Sequence, residues 1–321
     1  MTEAHRVATN LLVALVVAGL AGCTPQTPDS ETGAAPGVTG IRYLAGSDDA
    51  DGFRRAGEAR RFVFPADHRP HPGFRTEWWY FTGNLFDASA RHYGFELTIF
   101  RIALAPSGTA TDSDFASNEI WMGHLAVTDT EREIFQATER LSRGAPGLAG
   151  AITPNEGSAE STVIVIEDFE IAFADETVTL TAGTERFGID LALSGLDRVV
   201  AQGNDGLDPK GPEPGNASYY FSAPRLAVAG SVRSDGRGPV GVSGTAWMDR
   251  EWSTSALSPD VAGWDWFALQ LDDGRDLMFY RLRGRDGSTN EFSGGSIADA
   301  DGNVRRLTAD AVELEPLRTW T

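Results

Sequence analysis

His92-Tyr93-Gly94-Phe95-Glu96-Leu97-Thr98-Ile99 decides the fold class. Tyr93, Phe95, Leu97 and Ile99 alternate with His92, Gly94, Glu96 and Thr98, a period of two that gathers the large apolar groups on one face of a strand. The pattern continues outward. Ile120, Met122, His124 and Ala126 alternate with Trp121, Gly123, Leu125 and Val127, apolar on both faces, as in a strand covered from both sides. Short runs of the same kind follow at 163–166, 170–173, 178–180 and 189–193. Asp-Gly pairs at 235–236, 273–274, 286–287 and 301–302 supply hairpin turns. No stretch holds a long helical period. Many short strands joined by Gly and Asp turns specify an all-β chain, a barrel or a sandwich.

Six of the eight tryptophans fall in three segments where carboxylates interrupt the aromatics. These are Glu77-Trp78-Trp79-Tyr80-Phe81, Trp247-Met248-Asp249-Arg250-Glu251-Trp252 and Gly263-Trp264-Asp265-Trp266-Phe267. Aromatics clustered beside acids point to a pocket for a large apolar ligand, with Glu77, Trp78, Trp79, Trp247, Trp252, Trp264 and Trp266 as candidate binding residues. Strand parity gives each acid a face. Glu77 goes with Trp79 and Phe81, and Asp249 and Glu251 go with Trp247. Asp265 points with Phe267, Leu269 and Leu271, away from Trp264 and Trp266. Such acids either bond backbone and indole donors or are held neutral by loss of water. A neutral one could protonate a substrate double bond, the indole faces stabilising the resulting cation by about 2 kcal/mol where water is excluded. Water would then quench the cation, with no cofactor and no metal. His124, on a face with Ile120, Met122 and Ala126, is expected inside, as a satisfied core histidine or a polar group of the pocket.

The stretch from His71 to Gly83, which reads His71-Pro72-Gly73-Phe74-Arg75-Thr76-Glu77-Trp78-Trp79-Tyr80-Phe81-Thr82-Gly83, carries a resemblance. Followed by Gly244-Thr245-Ala246-Trp247-Met248-Asp249-Arg250-Glu251-Trp252 and by 263–267, it resembles the AttH/CrtC lipocalin-like family. That family includes carotenoid hydratases (hydroxyneurosporene synthases) and secreted proteins loosely called hydrolases. The resemblance runs from about residue 70 to the end. It implies two packed lipocalin-like β-barrel or sandwich domains, 62–254 and 255–321, with a boundary near Thr254. The second domain is expected to be incomplete, since family members usually continue with more strands. In hydratase members the second motif reads Asp-His-Glu-Trp, and its histidine and tryptophan are implicated in catalysis. A tyrosine followed two residues later by aspartate is implicated as well. Trp252 and Tyr280 match, whereas Arg250 stands at the histidine position and Leu282 at the aspartate position. Arginine keeps its proton near neutral pH, and leucine has none to give. Asp249, Asp265 and Tyr280 are therefore the candidate catalytic residues.

Residues 1–22 read as a signal peptide. Arg6 precedes an apolar run over 11–20 that is too short to span a bilayer, and Leu20-Ala21-Gly22-Cys23 closes it. Cys23, the sole cysteine, stands where a bacterial lipoprotein carries its lipid, and it leaves no internal disulfide possible. Residues 23–61 are rich in Pro, Gly, Ala, Ser, Thr and Asp and read as a flexible tether. The chain holds 46 acids against 27 bases, a formal net charge of −19. That excess disfavours nucleic acid and anionic head groups, leaving the lipid as the membrane contact. Lys210 is the only lysine, and no function is read from it. Residues 105–117 and 202–217 read as solvated loops. His68 and His71, with a proline between them, read as structural or surface histidines. No Gly-x-Ser-x-Gly elbow and no glycine-rich loop before a helix occur, so serine hydrolysis and nucleotide binding lack support.

Three functions fit. The first is a lipoprotein on the outer face of a bacterial membrane that binds a long apolar molecule, a lipid or an isoprenoid. The second is an isoprenoid hydratase. The third is an accessory lipoprotein of a membrane export complex. Cys23→Ser is expected to move the protein from the membrane pellet to the soluble fraction on cell fractionation, and an unchanged distribution refutes the anchor.

Overall fold

The alternation of large apolar residues is realised as strands along the chain. The computed structural model describes residues 51–106, 113, 116–152, 161–254 and 257–317, so Cys23 and the leader lie outside the described residues. Its strands are β1 (Thr76–Asp87), β2 (His92–Ala103), β3 (Glu119–Asp129), β4 (Ile134–Arg143), β5 (Ala149–Ile152), β6 (Ser161–Ile166), β7 (Phe169–Ala174), β8 (Thr177–Gly183) and β9 (Gly188–Ser194). They continue with β10 (Val200–Ala201), β11 (Leu207–Pro209), β12 (Ala217–Arg233), β13 (Val240–Ser253), β14 (Val261–Gln270), β15 (Asp276–Gly284), β16 (Gly294–Ala298) and β17 (Val304–Thr308). One thirteen-stranded sheet runs β4-β3-β2-β1-β13-β12-β9-β8-β7-β6-β5, with β10 and β11 also on β12. A second, four-stranded sheet runs β14-β15-β16-β17. Among the described residues no helix is long and apolar enough to cross a membrane.

The large sheet curls until its ends meet by packing. Gly123 on β3 lies so near Ile166 and Phe169 that a Cβ would come within 2.9 Å of each. Arg140 on β4 latches this seam, its Nε donating to Asp168 Oδ1 at 2.8 Å and its Nη2 to the Gly183 carbonyl at 3.2 Å. The result is a nearly closed lipocalin-like barrel. Its interior takes one face of each strand. Trp79, Phe81 and Leu85 come from β1, Phe95, Leu97 and Ile99 from β2, and Met248 and Trp252 from β13.

At one end of that interior sits a fully buried carboxylate, Glu77. Arg250 and Arg101, both buried, each pair with it. Arg250 also donates to the Arg69 carbonyl at 2.8 Å and lies 3.9 Å over the Trp79 ring. Arg101 reaches Glu119 at 2.8 Å and the Phe74 carbonyl at 3.0 Å. Burial alone would raise the Glu77 proton affinity, but Arg250, Arg101 and His71 outweigh it and hold the carboxyl well below the usual range. His68 is lowered as well, but to the opposite effect on charge: burial first, then the Arg250 charge, bring it down to about 4, so it stays neutral.

The chain ahead of β1 caps this end. Phe62 packs on Phe221 and Trp252 at centroid distances of 5.0 and 5.7 Å, and His71 stacks flat on Trp252 at 3.7 Å. His68 and His71 are thus cap residues facing the barrel end. Residues 54–60, read above as tether, belong to the same cap. Ala56 is fully buried, Arg54 N–H donates to the Gly73 carbonyl at 2.8 Å, and Arg60 pairs with Asp67 at 2.7 Å. The composition of this stretch is loop-like, but its arginines find carboxylate and carbonyl partners that a local reading cannot supply.

The second sheet docks on the outside of the barrel. Arg225 and Arg198 both pair with the buried Asp276, at 2.7 and 3.0 Å. Gln270 Nε2 donates to the Pro224 carbonyl at 2.6 Å, beside a bulge between Ala223 and Leu226 on β12 where a missing N–H breaks no ladder bond. The stretch 202–217 is a correction to the loop reading, since it carries β11 and buries Gln202 and Asp208.

Glu77→Gln leaves two buried guanidiniums without their shared counter-charge. It is expected to lower the unfolding free energy by about 3–5 kcal/mol in urea titration. Because the folded-state proton affinity of Glu77 is depressed, its contribution should be complete above the ordinary carboxylate range. It should be lost only as pH falls toward the depressed value.

Candidate active site between the two sheets

β1 and β13 pair directly, Trp78 opposite Glu251 and Tyr80 opposite Asp249. Their odd and even positions therefore serve different places. Glu77, Trp79, Arg250 and Trp252 point into the barrel, while Trp78, Tyr80, Asp249 and Glu251 point out of it, toward the second sheet. A cavity of about 400 Å³ lies there. Its floor is the outer face of β1, β2, β3, β12 and β13, contributing Trp78, Tyr80, Glu96, Thr98, Phe100, His124, Tyr220, Asp249 and Glu251. Its roof is Trp264 and Trp266 of β14 with Tyr280 and Leu282 of β15, and Lys210 enters just beyond β11.

Asp249 is held by three donors. Trp247 Nε1 and Ser222 Oγ donate to Oδ1 at 2.7 and 2.6 Å, and the Tyr220 hydroxyl donates to Oδ2 at 2.7 Å. Ser222 is itself fixed, accepting from Gln202 Nε2 at 2.9 Å, and Gln202 Oε1 accepts from Ser296 of β16 at 2.7 Å. This buried chain runs from the second sheet to the acid. Burial pushes Asp249 up to about 6, against the pull of its three donors. Glu251 has a different setting. Burial raises it to about 7, and the Lys210 ammonium 3.5 Å away opposes the rise. Glu96, at the far side of Tyr80, is raised by burial to about 7 as well. Lys210 Nζ bonds Asp208 at 2.6 Å and lies 3.9 Å over the Tyr280 ring, whose hydroxyl donates to Asp208 at 3.0 Å. Burial and the Asp208 charge push the Tyr280 phenol above its ordinary value, so it keeps its proton.

The residues expected from sequence divide between three places. Trp78, Trp264, Trp266, Asp249, Tyr280 and His124 meet at the cavity, and Trp247 braces it by holding Asp249 and packing edge-on against Trp266 at 6.4 Å. Glu77, Trp79 and Trp252 do not, because they face the barrel interior on the far side of the same strands. Asp265 turns to the outer side of the second sheet, where Arg281 pairs with it at 2.6 Å. His124, expected inside, lies at the cavity rim with Glu139 at 3.0 Å, since Trp121, Leu125 and Val127 of β3 take the barrel side. Arg250 touches the barrel network, so the residue at that position does not reach the cavity.

A family model described as AttH-like matches residues 55–321. The chain belongs to that family. Among solved structures, a protein assigned as AttH from Nitrosomonas europaea is 33% identical, with a TM-score of 0.72, covering 84% of this chain and 79% of its own. Kievitone hydratase from Nectria haematococca shares the fold at 13% identity and a TM-score of 0.52, covering 80% of this chain and 72% of its own. No curated protein matches the sequence.

Several side chains at the cavity of the AttH-like chain escaped sequence reasoning. Lys210 and Asp208 lay in a stretch read as loop, although Lys210 being the sole lysine was a visible signal. Tyr80, Glu96 and Phe100 lay in strands read only for their apolar face, and Tyr220 in one that had not been singled out. Polar groups on the outer face of a strand look like ordinary solvated positions until a second sheet covers them.

Trp252→Ala, a change in the barrel core, is expected to cost about 3–5 kcal/mol in chemical denaturation. Trp264→Ala should cost less, because the side chain is half-buried, while weakening the uptake of a neutral fluorophore such as Nile red. The reverse ranking would refute the assignment of these two tryptophans.

Proposed function

We propose that the cavity between the sheets adds water to a carbon–carbon double bond of an apolar small molecule, or removes it, without a cofactor. The observation that carries this reading is the unequal treatment of two neighbouring acids. Asp249 and Glu251 lie on one face of β13, roughly 7 Å apart along the strand. Asp249 accepts three hydrogen bonds on its two oxygens, a setting that favours the carboxylate. Glu251 lacks such a set of donors, and burial together with the nearby Asp208 and Asp249 carboxylates raises its proton affinity against the opposing Lys210 ammonium. Environments that push two carboxyls apart assign a base and an acid. Asp249 takes the proton of the attacking water, and Glu251 delivers one to the other carbon. Trp78, Phe100, Trp264 and Trp266 hold the apolar body and exclude bulk water.

The fold relation to kievitone hydratase agrees with this reading, although at 13% identity the argument rests on the side chains. A full-length carotenoid is a poor candidate. A cavity of about 400 Å³ is at the small end of ligand pockets, which span roughly 300–1,000 Å³. Neither Arg250, turned into the barrel, nor Leu282 supplies a proton there. Carriage of an apolar ligand without chemistry is the second reading, favoured by the aromatic walls. Tethering to the outer face of a bacterial membrane is proposed on Cys23 alone.

Purified protein incubated with unsaturated apolar compounds should yield products heavier by one water in mass spectrometry. Glu251→Gln should lower the rate by about 100- to 10,000-fold while leaving uptake of the compound intact. Carriage alone predicts no water adduct from either protein. The rate should rise as pH passes about 6, where Asp249 ionises, and fall as pH passes about 7, where Glu251 loses its proton.

A further inference from the structure

Lys210 is the sole lysine among 27 basic residues, and it enters the cavity. Its Nζ is 2.6 Å from Asp208 and 3.5 Å from Glu251, and 3.9 Å from the centre of the Tyr280 ring. Burial disfavours the ammonium, but the Asp208 carboxylate bonded to it leads the interactions that outweigh burial and keep it protonated. It is therefore a fixed cation and not a nucleophilic amine. An ammonium carries three donors. Asp208 accepts one of them, Glu251 stands at 3.5 Å as an ion-pair neighbour, and among the described residues no further acceptor is paired with the ammonium.

The sign of this charge discriminates between two ways of hydrating a double bond. Protonation of an isolated alkene creates a carbocation beside the group that gave up the proton. Here that group is Glu251, and the nascent cation would form next to the Lys210 ammonium, which repels it. Addition of water to a double bond conjugated with a carbonyl instead sends negative charge to the carbonyl oxygen. An ammonium placed beside the acid stabilises that oxygen as an oxyanion donor does.

Resting on the hydration reading above, we propose that the substrate class is the α,β-unsaturated carbonyl compound, with Lys210 as the catalytic residue that binds the carbonyl oxygen. In the forward step Asp249 takes a proton from water while the water oxygen bonds to the β carbon. The π electrons pass to the carbonyl oxygen, giving an enolate held by Lys210. The enolate re-forms its carbonyl as the α carbon takes the proton of Glu251. Proton return from Asp249 to Glu251 through solvent resets the pair, and the sum is the enone plus water giving the β-hydroxy carbonyl. The hydroxyls of Tyr220 and Tyr280 are already donated to Asp249 and Asp208, which leaves Lys210 as the cationic donor for the substrate.

The test uses benzylideneacetone as the conjugated probe and β-methylstyrene as its carbonyl-free counterpart, each followed by mass spectrometry. The expected result is water added to benzylideneacetone and none to β-methylstyrene. K210Q should lower kcat for benzylideneacetone by about 100- to 1,000-fold with a much smaller change in KM. K210R, which keeps the charge, should retain more activity than K210Q. The wild-type protein should also bind benzylacetone, a saturated ketone, at least tenfold more tightly than butylbenzene by tryptophan quenching, a measurement that needs no variant. Hydration of β-methylstyrene at a comparable rate, or a folded K210Q with unchanged kcat, overturns the carbonyl assignment and leaves hydration standing. Water added to neither probe, with both bound, overturns the hydration reading and this inference with it.

Discussion

Glu77 is a carboxylate placed where water cannot reach it, and the geometry of the barrel end follows from how its charge is answered. Arg101 arrives from β2 and Arg250 from β13, the two strands that flank β1. A buried carboxylate with one partner missing is strongly destabilising, so the three strands are held in one register at this point. Register then fixes everything on the opposite face. With Glu77 and Arg250 turned inward, Trp78, Tyr80, Asp249 and Glu251 have no choice but to face outward, since successive side chains in a strand alternate. The cavity floor is thus set by a charge network on the opposite face of its strands, which meets the floor residues only at the Trp78 and Glu251 backbone carbonyls that accept from Arg250.

The second sheet changes the chemistry of that outward face by removing water from it. An aspartate and a glutamate on an open sheet surface would both be ionised at neutral pH. Covered by Trp264, Trp266 and Tyr280, they become groups whose proton affinities approach the physiological range. The cover also carries part of the wiring, because Ser296 on β16 fixes Gln202, which fixes Ser222, which donates to Asp249. The pairing of Asp276 with Arg198 and Arg225 holds the cover in place. Docking of the sheets and the raised proton affinities of Asp249 and Glu251 are accordingly one event.

Tyrosine hydroxyls and indole N–H groups play an unusual part in this arrangement. They are spent on the acids and not on a ligand: Tyr220 and Trp247 on Asp249, Tyr280 on Asp208. The rings of Tyr220 and Tyr280 also line the cavity, and Trp247 braces it. Tyr220 and Tyr280 therefore do two jobs, the ring lining the cavity while the hydroxyl bonds a carboxylate.

The all-β class, the lipocalin-like architecture and the family were legible in the sequence, because a period of two and turn-forming Asp-Gly pairs are local properties, and the three tryptophan motifs are contiguous. The face of each acid within its own strand was also legible, for parity needs no partner. Which of two faces was the barrel interior was not. Asp249 and Glu77 look alike in sequence, an acid among tryptophans, yet one opens on a cavity and the other is sealed by two arginines from different strands. Asp265 was misplaced for the same reason, His124 reaches the cavity from the outer and not the barrel face of β3, and Lys210 went unread because its partners, Asp208 and Glu251, meet only when a loop-like stretch folds over β13. Alternation along a strand is written in neighbouring residues; the side of a sheet that receives a second layer, and loses its water, is decided by contacts between residues far apart in the chain.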